Sequence, residues 1–388
     1  MSRFFSYLNT AADILNQYTG AEPFTFFLKK YFSQHKKSGS KDRKSIAHLC
    51  YCYFRLGKAM LNTPVRERII TGLFICSSES NELLEQLRPE WNEKTGLSIE
   101  EKFAMVSPSF LLTDIFPWVD QLSDRIDKER FCYSLLIQPN LFLRLRPGFE
   151  DLVKSKLREQ GVSYEVINDS CLALPNASKV DTLLLLNKEA VIQDKSSQRV
   201  GELFRKMEAL DHLSVWDCCA ASGGKSIMAK DILGEIELTA SDVRENIIHN
   251  LRKRFAEAGI KKYNSFIVDL TKQVPPPLNQ QFDLIIADVP CSGSGTWSRT
   301  PEQLYYFDPA KIEQYSSLQH KIINTVTKKL KPGGYLLYIT CSVFKKENEL
   351  QVSYIKEKIG LAEIETNVLA GYNEKADTMF ASLLRKPL

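Results

Sequence analysis

Long hydrophobic runs are absent from this sequence of 388 residues. No stretch reaches the roughly 18 apolar residues of a membrane-spanning helix, and the start, Met1-Ser-Arg-Phe-Phe-Ser, lacks a basic segment followed by an apolar one. We therefore expect neither a membrane span nor a secretion signal, and we predict a cytoplasmic location. Glycine and proline are scarce, at 18 and 16 residues, which excludes collagen-like, mucin-like and wholly disordered proteins. The length predicts two or three domains of roughly 100 to 200 residues each.

Paired cysteine motifs are also missing. The nine cysteines are an odd number, and two of them, Cys218 and Cys219, are adjacent, so a disulfide framework is not expected in a reducing compartment. There is no C-x-x-C, and Cys50 and Cys52 have no second ligand pair at zinc-finger spacing, so no metal site is predicted. The thiols are then either core packing or nucleophiles.

Charge of one sign is not in large excess, because 51 basic and 47 acidic residues give a net charge of only +4. The basic residues are nevertheless concentrated between Lys29 and Lys44, with Asp42 as the one acid and with Tyr31, Phe32 and His35 between them. Such a segment can neutralise phosphates of a nucleic acid. The alternative is a solvated charged face with no partner.

The pattern of apolar residues changes twice along the chain. Up to about Asp127 they recur at spacings of three and four, which predicts an all-α domain with helices at 4–18, 44–61, 65–76 and 109–116. Strands at 141–146 and 163–167 around a helix at 150–159 then predict a small α+β unit. The predicted domains are 1–135, 136–200 and 201–388.

Strands and helices alternate from about Val200 onward. The predicted strands are 213–218, 236–243, 265–270, 282–289 and 335–340, the predicted helices are 224–233, 244–258 and 309–330, and Pro275-Pro276-Pro277 forms a loop. Apolar strands separated by helices predict an α/β fold with a parallel sheet covered on both faces.

A glycine-containing turn joins the first of these strands to its helix, in Val215-Trp-Asp-Cys-Cys-Ala-Ala-Ser-Gly-Gly-Lys225. Glycines there let a ligand approach the free N–H groups of the helix start. Asp242 follows near the spacing at which a carboxylate takes ribose hydroxyls. The turn therefore favours nucleoside binding, although a plain tight turn is the alternative, and it lacks the P-loop pattern for phosphates.

Carboxylates are predicted at the ends of three successive strands, at Asp242, Asp269 and Asp288. Ligands of open α/β sheets bind at this edge, where a carboxylate can accept hydrogen bonds from an amine or a ring N–H. A single aspartate at a strand end is often only a turn residue, but three aligned ends favour a binding site.

Two cysteines, Cys291 and Cys341, directly follow apolar strands at the same edge. A thiolate is a strong nucleophile once a nearby cation or helix terminus lowers its pKa. Lys225 is the candidate cation. Two cysteines at this edge favour chemistry over packing.

These segments together resemble the NOL/NOP/Sun family of RNA cytosine-C5 methyltransferases. The motifs that carry the resemblance are Ile192–Gln198, Asp217–Lys225, Asp288-Val-Pro-Cys, Ser292-Gly293-Ser294-Gly295, Thr340-Cys341-Ser342 and, as the last strand, Asp377–Lys386. The resemblance covers the chain from about Leu141 to its end. The N-terminal part resembles the NusB-like RNA-binding domain of the bacterial branch that modifies small-subunit ribosomal RNA, supported only by Lys41-Asp-Arg-Lys-Ser and the following helix.

The resemblance implies a class I, Rossmann-like core dependent on S-adenosylmethionine, with RNA, most of all ribosomal RNA, as the partner. It implies cofactor contacts at Cys219, Ala220, Ala221, Ser222, Gly223, Gly224, Lys225, Asp242, Asp269 and Asp288. Cys341 matches the family's nucleophile, Cys291 its second cysteine and Asp288 the acid that contacts cytosine, while Lys225 is expected to steady the thiolate, the cofactor carboxylate or a phosphate.

The implied chemistry uses both thiols. Cys341 adds to C6 of cytosine and activates C5, and Cys291 then assists removal of the C5 proton. Two residues depart from the family pattern, Ser222 in place of the usual Pro and Val289 in place of the usual Ala. The alternatives are attack by Cys291, a catalytically silent RNA-binding assembly factor, and a class I methyltransferase for another substrate.

Overall fold

The computed structural model describes residues 3–208, 212–272 and 279–388. The predicted loop Pro275-Pro276-Pro277 lies outside the described residues. The chain divides into two compact units, one of Met1–Asp120, Asp127–Gln138 and Trp297–Asp308, and one of Gln121–Ile126, Pro139–Thr296 and Pro309–Leu388. The three-part division read from the sequence stays a prediction.

The helices and strands are numbered here in chain order. The α-helices are α1 (Arg3–Gln17), α2 (Phe24–Gln34), α3 (Ser40–Arg55), α4 (Val65–Cys76), α5 (Glu82–Leu87), α6 (Pro89–Asn92), α7 (Ile99–Val106), α8 (Lys128–Leu135), α9 (Glu150–Glu159), α10 (Lys195–Arg199), α11 (Gly224–Leu233), α12 (Glu245–Glu257), α13 (Pro301–Tyr306), α14 (Ala310–Val326) and α15 (Glu349–Tyr354). The strands are β1 (Leu141–Leu145), β2 (Glu165–Asn168), β3 (Cys171–Leu174), β4 (Ala190–Ile192), β5 (Leu213–Asp217), β6 (Ile236–Asp242), β7 (Tyr263–Ile267), β8 (Phe282–Asp288), β9 (Leu330–Thr340), β10 (Ala362–Ala370) and β11 (Thr378–Arg385).

The first unit is all-α, as the spacing of apolar residues predicts, with α3 and α4 packed closely at its centre. A Cβ on Gly72 of α4 would lie 2.3 Å from the carbonyl oxygen of Cys52, so only glycine fits there. The helix expected at 109–116 is wrong, because only a 3-10 turn forms at Leu112–Ile115. The helix expected at 44–61 starts earlier and ends at Arg55, just before Gly57, whose φ is +52°.

Residues from the middle of the chain complete this helical unit. In α13, the hydroxyl of Tyr305 lies 3.0 Å from that of Tyr53, and the Tyr306 hydroxyl donates to the carbonyl of Tyr18 at 2.6 Å. The Tyr306 ring also lies against Gly20, where a Cβ would be 2.6 Å from the ring. The segment Trp297–Asp308 is thus part of the helical unit.

The second unit contains two sheets. The smaller one is antiparallel in the order β2-β3-β1-β4, and its apolar face packs with α9 around Leu143, Val153, Leu157 and Leu172. The strand at 141–146 and the helix at 150–159 are confirmed as β1 and α9.

The larger sheet has seven strands in the order β10-β11-β9-β8-β5-β6-β7. The five strands from β9 to β7 are parallel, and alternate residues of β8 enter two cores, Leu284 and Ile286 on one face, Ile285 and Ala287 on the other. The α/β fold with both faces covered is therefore confirmed. Two further strands, β10 and β11, extend the parallel part as antiparallel neighbours. A short connection joins them as a hairpin, whereas parallel neighbours need a longer crossover.

Two boundaries matter for the site. The strand expected at 265–270 is β7 and ends at Ile267, so Asp269 lies in the following turn rather than at a strand end. The strand expected at 335–340 already begins at Leu330, because a register shift opposite Phe282 and Leu284 accommodates Pro332-Gly333-Gly334 as a bulge.

Candidate active site

The turn between β5 and α11 adopts a conformation that needs its glycine. Gly223 has a φ of +84°, and a Cβ there would lie 2.6 Å from the ring of Phe255. Ala221 also has a positive φ, +44°, which is strained for a residue with a side chain. The turn is held to the sheet by the Ala220 N–H, which donates to the Ser241 carbonyl at 2.9 Å. Backbone strain of this kind is common at ligand sites.

Asp242, the last residue of β6, is tied to this turn. Its Oδ2 accepts from the Ala221 N–H at 3.1 Å, and its Oδ1 accepts from the Arg244 N–H and Nε at 3.0 Å each. The Arg244 side chain is 58% exposed. Asp242 is predicted from the sequence, whereas Arg244, only two residues later, is not.

A crevice of about 610 Å³ lies beside the turn at the carboxyl edge of the large sheet. Among the residues predicted from the sequence, it is lined by Cys219, Ala221, Asp242, Asp269, Asp288, Cys291 and Cys341. A second cavity of about 290 Å³ is lined by Ala220, Ala221, Ser222, Gly224, Lys225, Asp288 and Cys341. Gly223 is buried beneath the turn. The structure therefore brings the predicted residues together around two adjoining cavities.

Asp269 reaches the crevice from the turn after β7. Its Oδ1 accepts from the Thr271 hydroxyl at 2.6 Å and the Thr271 N–H at 3.0 Å. The hydrogen bond from the Thr271 side chain is the main cause that lowers the pKa of Asp269. Asp269 is thus an ionised carboxylate at the rim of the crevice.

The two predicted cysteines are neighbours. Their Sγ atoms are 3.3 Å apart, well beyond the roughly 2.05 Å of a disulfide, and both thiols are free. The hydrogen bond with Cys341 and, after it, burial raise the pKa of Cys291 well above its usual value. Cys291 therefore stays protonated, and its S–H can donate to the sulfur of Cys341.

Lys225 lies at the start of α11, with only 7% of its surface exposed. Its Nζ donates to Asp288 Oδ2 at 3.0 Å and to the Ser197 hydroxyl at 2.8 Å. The ammonium group therefore neutralises Asp288 and fixes its orientation. Ser197, on α10, is missed as a separate site residue by the sequence analysis, although it falls inside the quoted motif Ile192–Gln198.

A buried polar cluster supports the loops that carry the cysteines. Glu347 has no exposed surface, and its Oε2 accepts from the Ser292 N–H at 2.8 Å and from Gln319 Nε2 at 3.2 Å. Its Oε1 accepts from the Ser342 hydroxyl at 2.7 Å. Because Ser292 follows Cys291 and Ser342 follows Cys341, this one carboxylate joins both loops. Burial raises its pKa, and these hydrogen bonds partly offset that rise.

Asp217 ends β5 beneath the turn and is fully buried. Its Oδ2 accepts from the Ser226 hydroxyl at 2.6 Å. Burial raises its pKa to about 7. In the sequence, Asp217 is part of the turn motif, but the motif alone predicts no role for it.

The basic segment of the helical unit spans α2 and the start of α3. Lys36, Lys37 and Lys41 are exposed, whereas Tyr31 and Phe32 are buried. The segment therefore exposes positive charge to solvent, but the rings of Tyr31 and Phe32 are not exposed for contact with a nucleic acid.

The described part of the chain contains neither a membrane-spanning helix nor a cluster of metal ligands. None of the helices within 3–208, 212–272 and 279–388 is long and apolar enough to cross a membrane. The same residues contain no group of three or more His, Cys, Asp or Glu side chains placed to hold a metal ion.

Comparison with known proteins identifies relatives of the second unit. Residues 204–382 match the family model described as 16S rRNA methyltransferase RsmB/F. The chain is 31% identical over 207 residues to ribosomal RNA small subunit methyltransferase B of Shewanella oneidensis, covering 52% of this chain and 46% of that protein. It is 27% identical over 226 residues to the probable ribosomal RNA small subunit methyltransferase B of Bacillus subtilis, covering 57% and 50%. The matches thus span about half the length of these relatives.

Solved structures share the fold. The crystal structure of PH0851 aligns with a TM-score of 0.71 at 18% identity, over 100% of this chain and 99% of that one. The structure of NSun6 from Pyrococcus horikoshii with SFG aligns with a TM-score of 0.60 at 15% identity, over 70% and 97%.

Proposed function

We propose that the protein methylates C5 of a cytosine in small-subunit ribosomal RNA with S-adenosylmethionine, on the basis that residues 204–382 match the family model described as 16S rRNA methyltransferase RsmB/F. The observation that carries the proposal is the pair of free thiols, Cys291 and Cys341, 3.3 Å apart at the edge of the crevice. A one-thiol mechanism needs no second cysteine at this distance.

The crevice fits the cofactor in size and chemistry. Its volume of about 610 Å³ lies within the range of roughly 300 to 1,000 Å³ for small-molecule sites. When bound, S-adenosylmethionine supplies an electrophilic methyl group. The backbone from Cys219 to Lys225 would hold its amino-acid part, and Asp269 would lie on the adenine side. Asp242 would accept hydrogen bonds from the ribose hydroxyls if the exposed Arg244 side chain left the carboxylate.

The nucleophile is Cys341, which lines both cavities, whereas Cys291 lines the crevice. Its sulfur forms a bond to C6 of a cytosine that has left its stack, and electron density moves to C5, which becomes able to accept the methyl group. Asp288, held by Lys225 at 3.0 Å, accepts hydrogen bonds from the exocyclic amine. Its fixed orientation therefore selects cytosine.

Cys291 then acts as the base, after its own thiol proton has passed to solvent in the crevice. Its hydrogen bond with Cys341 is the largest cause of its raised pKa, and that cause is removed when the Cys341 sulfur becomes a thioether. This hydrogen bond therefore no longer opposes loss of the Cys291 proton at the stage when the C5 proton must leave. Removal of that proton restores the double bond and expels the Cys341 sulfur from C6.

The test compares two single-cysteine variants with small-subunit ribosomal RNA and S-adenosylmethionine. Cys291→Ala is expected to accumulate a covalent protein–RNA adduct on denaturing gels, because the adduct forms and is not resolved. Cys341→Ala is expected to give no adduct and no methylation. Cys219→Ala, which removes a thiol from the same crevice, serves as the control and is expected to turn over.

The alternatives give other results. An adduct with Cys341→Ala and none with Cys291→Ala would make Cys291 the nucleophile. A wild-type chain that binds ribosomal RNA but shows no S-adenosylmethionine binding by calorimetry would be a silent RNA-binding factor. Bisulfite sequencing of total RNA from a deletion strain identifies the cytosine that loses protection, and an unchanged pattern would exclude RNA C5 methylation.

A further inference from the structure

Arg254, on α12, contacts the cofactor turn at Ser222 and lines the second cavity with it. Its Nη1 donates to both acceptors of Ser222, the carbonyl oxygen at 3.0 Å and the hydroxyl at 2.6 Å. Its Nε donates to Asn187 Oδ1 at 2.9 Å. One half-buried guanidinium therefore joins the turn to a residue of the small-sheet region.

Asn187 is itself fixed at several atoms. It has a φ of +68°, its Nδ2 donates to Glu257 Oε2 at 2.7 Å, and its carbonyl accepts from Arg146 Nη1 at 3.0 Å. Arg146 in turn donates from Nη2 to Asp231 Oδ1 at 2.7 Å, a carboxylate whose side chain is only 5% exposed. The acceptor that orients Arg254 is thus part of a rigid network.

Ser222 is the residue of the turn that most needs such support. It lies between Ala221 and Gly223, both at positive φ, and it stands where the family that the sequence resembles usually has Pro. A proline would restrict φ at this point by its ring. Serine has no such restriction, and two hydrogen bonds from a cation hold it instead.

We propose that Arg254 is a positioning residue for the cofactor turn, that it replaces by hydrogen bonds the rigidity of a proline at position 222, and that Asn187 keeps its guanidinium in place. The inference rests on the proposed function in that the ligand of the turn is S-adenosylmethionine. The inference concerns the affinity for S-adenosylmethionine, which can be measured separately from methyl transfer.

The experiment measures S-adenosylmethionine binding to the full chain by calorimetry, together with KM for cofactor and RNA. Arg254→Gln is expected to weaken cofactor binding about tenfold, as loss of roughly 1.4 kcal/mol of orienting hydrogen bonds would, with KM for RNA unchanged. Adding Ser222→Pro to Arg254→Gln is expected to restore most of the affinity. Arg252→Gln is the matched control, because that arginine of the same helix donates to Ser265 instead.

A second variant keeps the test independent of any folding defect in Arg254→Gln. Asn187→Gly tolerates the positive φ, keeps the carbonyl that accepts from Arg146 and removes the side-chain contacts to Arg254 and Glu257. Cofactor binding is expected to weaken by about threefold, with no further loss when combined with Arg254→Gln. The proposal is overturned if Ser222→Pro restores nothing, or if the two substitutions are additive. It is equally overturned if Arg254→Gln weakens RNA binding and spares the cofactor, since Arg254 would then contact the substrate. A wild-type chain that fails to bind S-adenosylmethionine overturns the proposed function and this inference together.

Discussion

Replacement of Glu347 tests whether one buried carboxylate holds the two cysteine loops together. Two substitutions separate shape from charge: Glu347→Gln preserves the shape and Glu347→Ala removes the side chain. In the wild type the carboxylate accepts from Ser292, Gln319 and Ser342. These three donors differ in whether another acceptor is within reach when the Glu347 side chain is removed.

The loss of stability in Glu347→Ala follows from the acceptors that remain for each donor. Gln319 Nε2 keeps a partner, the Pro290 carbonyl at 3.0 Å, and the Ser342 hydroxyl can turn to Ser294 at 3.3 Å. The Ser292 N–H is left without its acceptor, at a cost of about 1–3 kcal/mol, and the cavity left by the side chain adds about 1 kcal/mol. We expect Glu347→Ala to lower the free energy of unfolding by about 3 kcal/mol.

Glu347→Gln should cost about 1 kcal/mol or less, because its carbonyl can occupy the Oε2 position and keep the Ser292 N–H paired. The amide then faces Ser342, whose hydroxyl can accept and donate. Glutamine also removes a pH dependence: burial raises the pKa of Glu347 in the folded state, so the wild type loses stability as pH rises above the ordinary value of 4.5. The variant has no carboxyl there to ionise.

The assay combines chemical denaturation with single-turnover methylation. Glu347→Ala is expected to slow methyl transfer about a hundredfold, the effect of misplacing a reacting group by roughly 1 Å, while the affinity for S-adenosylmethionine stays unchanged. Glu347→Gln is expected to remain within about fivefold of the wild type, a loss of about 1 kcal/mol. A Glu347→Ala variant as stable and as fast as the wild type would refute the reasoning. A stable Glu347→Gln as slow as Glu347→Ala would show that the charge itself takes part in the reaction.

Two further predictions concern charge elsewhere. The pKa of Asp217 is about 7 in the folded chain, compared with an ordinary value of 3.8, so the folded chain retains a proton that the unfolded chain releases. The free energy of unfolding of the wild type should therefore fall between about pH 4 and 7, in total by on the order of 4 kcal/mol. Chemical denaturation of Asp217→Asn across that range should show no such fall, and the same slope as in the wild type would disprove the assignment. Replacing Lys36, Lys37 and Lys41 by Ala should reduce the slope of the log binding constant for single-stranded RNA against log salt concentration by about 2, if all three lysines contact phosphates. The same change at Lys261, Lys262 and Lys358 serves as the control. An unchanged slope would show that the segment is not part of the RNA interface.

The sequence predicts the local elements well where they have strong boundaries. The helices at 150–159 and 224–233 agree residue for residue with α9 and α11, because each begins near a glycine or an acid and ends near a glycine. Strand β10 is not among the predicted strands. It is an edge strand with one buried residue, Leu369, and its alternation of Glu363, Glu365 and Asn367 with Ile364, Thr366 and Val368 is a weak signal because Thr366 interrupts the apolar positions. Asp269 was placed at a strand end because the apolar residues after Ile267 continue the pattern into a buried turn.

The cysteines and aspartates that line the site are predictable from the sequence, whereas Arg244 and the residues that support the loops are not. Cys291 and Cys341 follow apolar strands, so their meeting at one sheet edge is a consequence of parallel topology. The partners of Glu347 and Arg254 are dispersed along the sequence, and nothing local marks them. Their roles depend on tertiary contacts, which a single sequence does not encode in any short pattern.

The segment Trp297–Asp308 has a consequence for the order of synthesis. Its tyrosines contact Tyr18 and Tyr53, so the N-terminal helices acquire these partners only after almost three hundred residues have followed them out of the ribosome. Domains generally fold in order from the N-terminus during translation, but this helical unit must wait, partly assembled, while most of the second unit is made. A fragment cut after residue 135 would carry the same deficit permanently, with Gly20 facing water where the Tyr306 ring belongs.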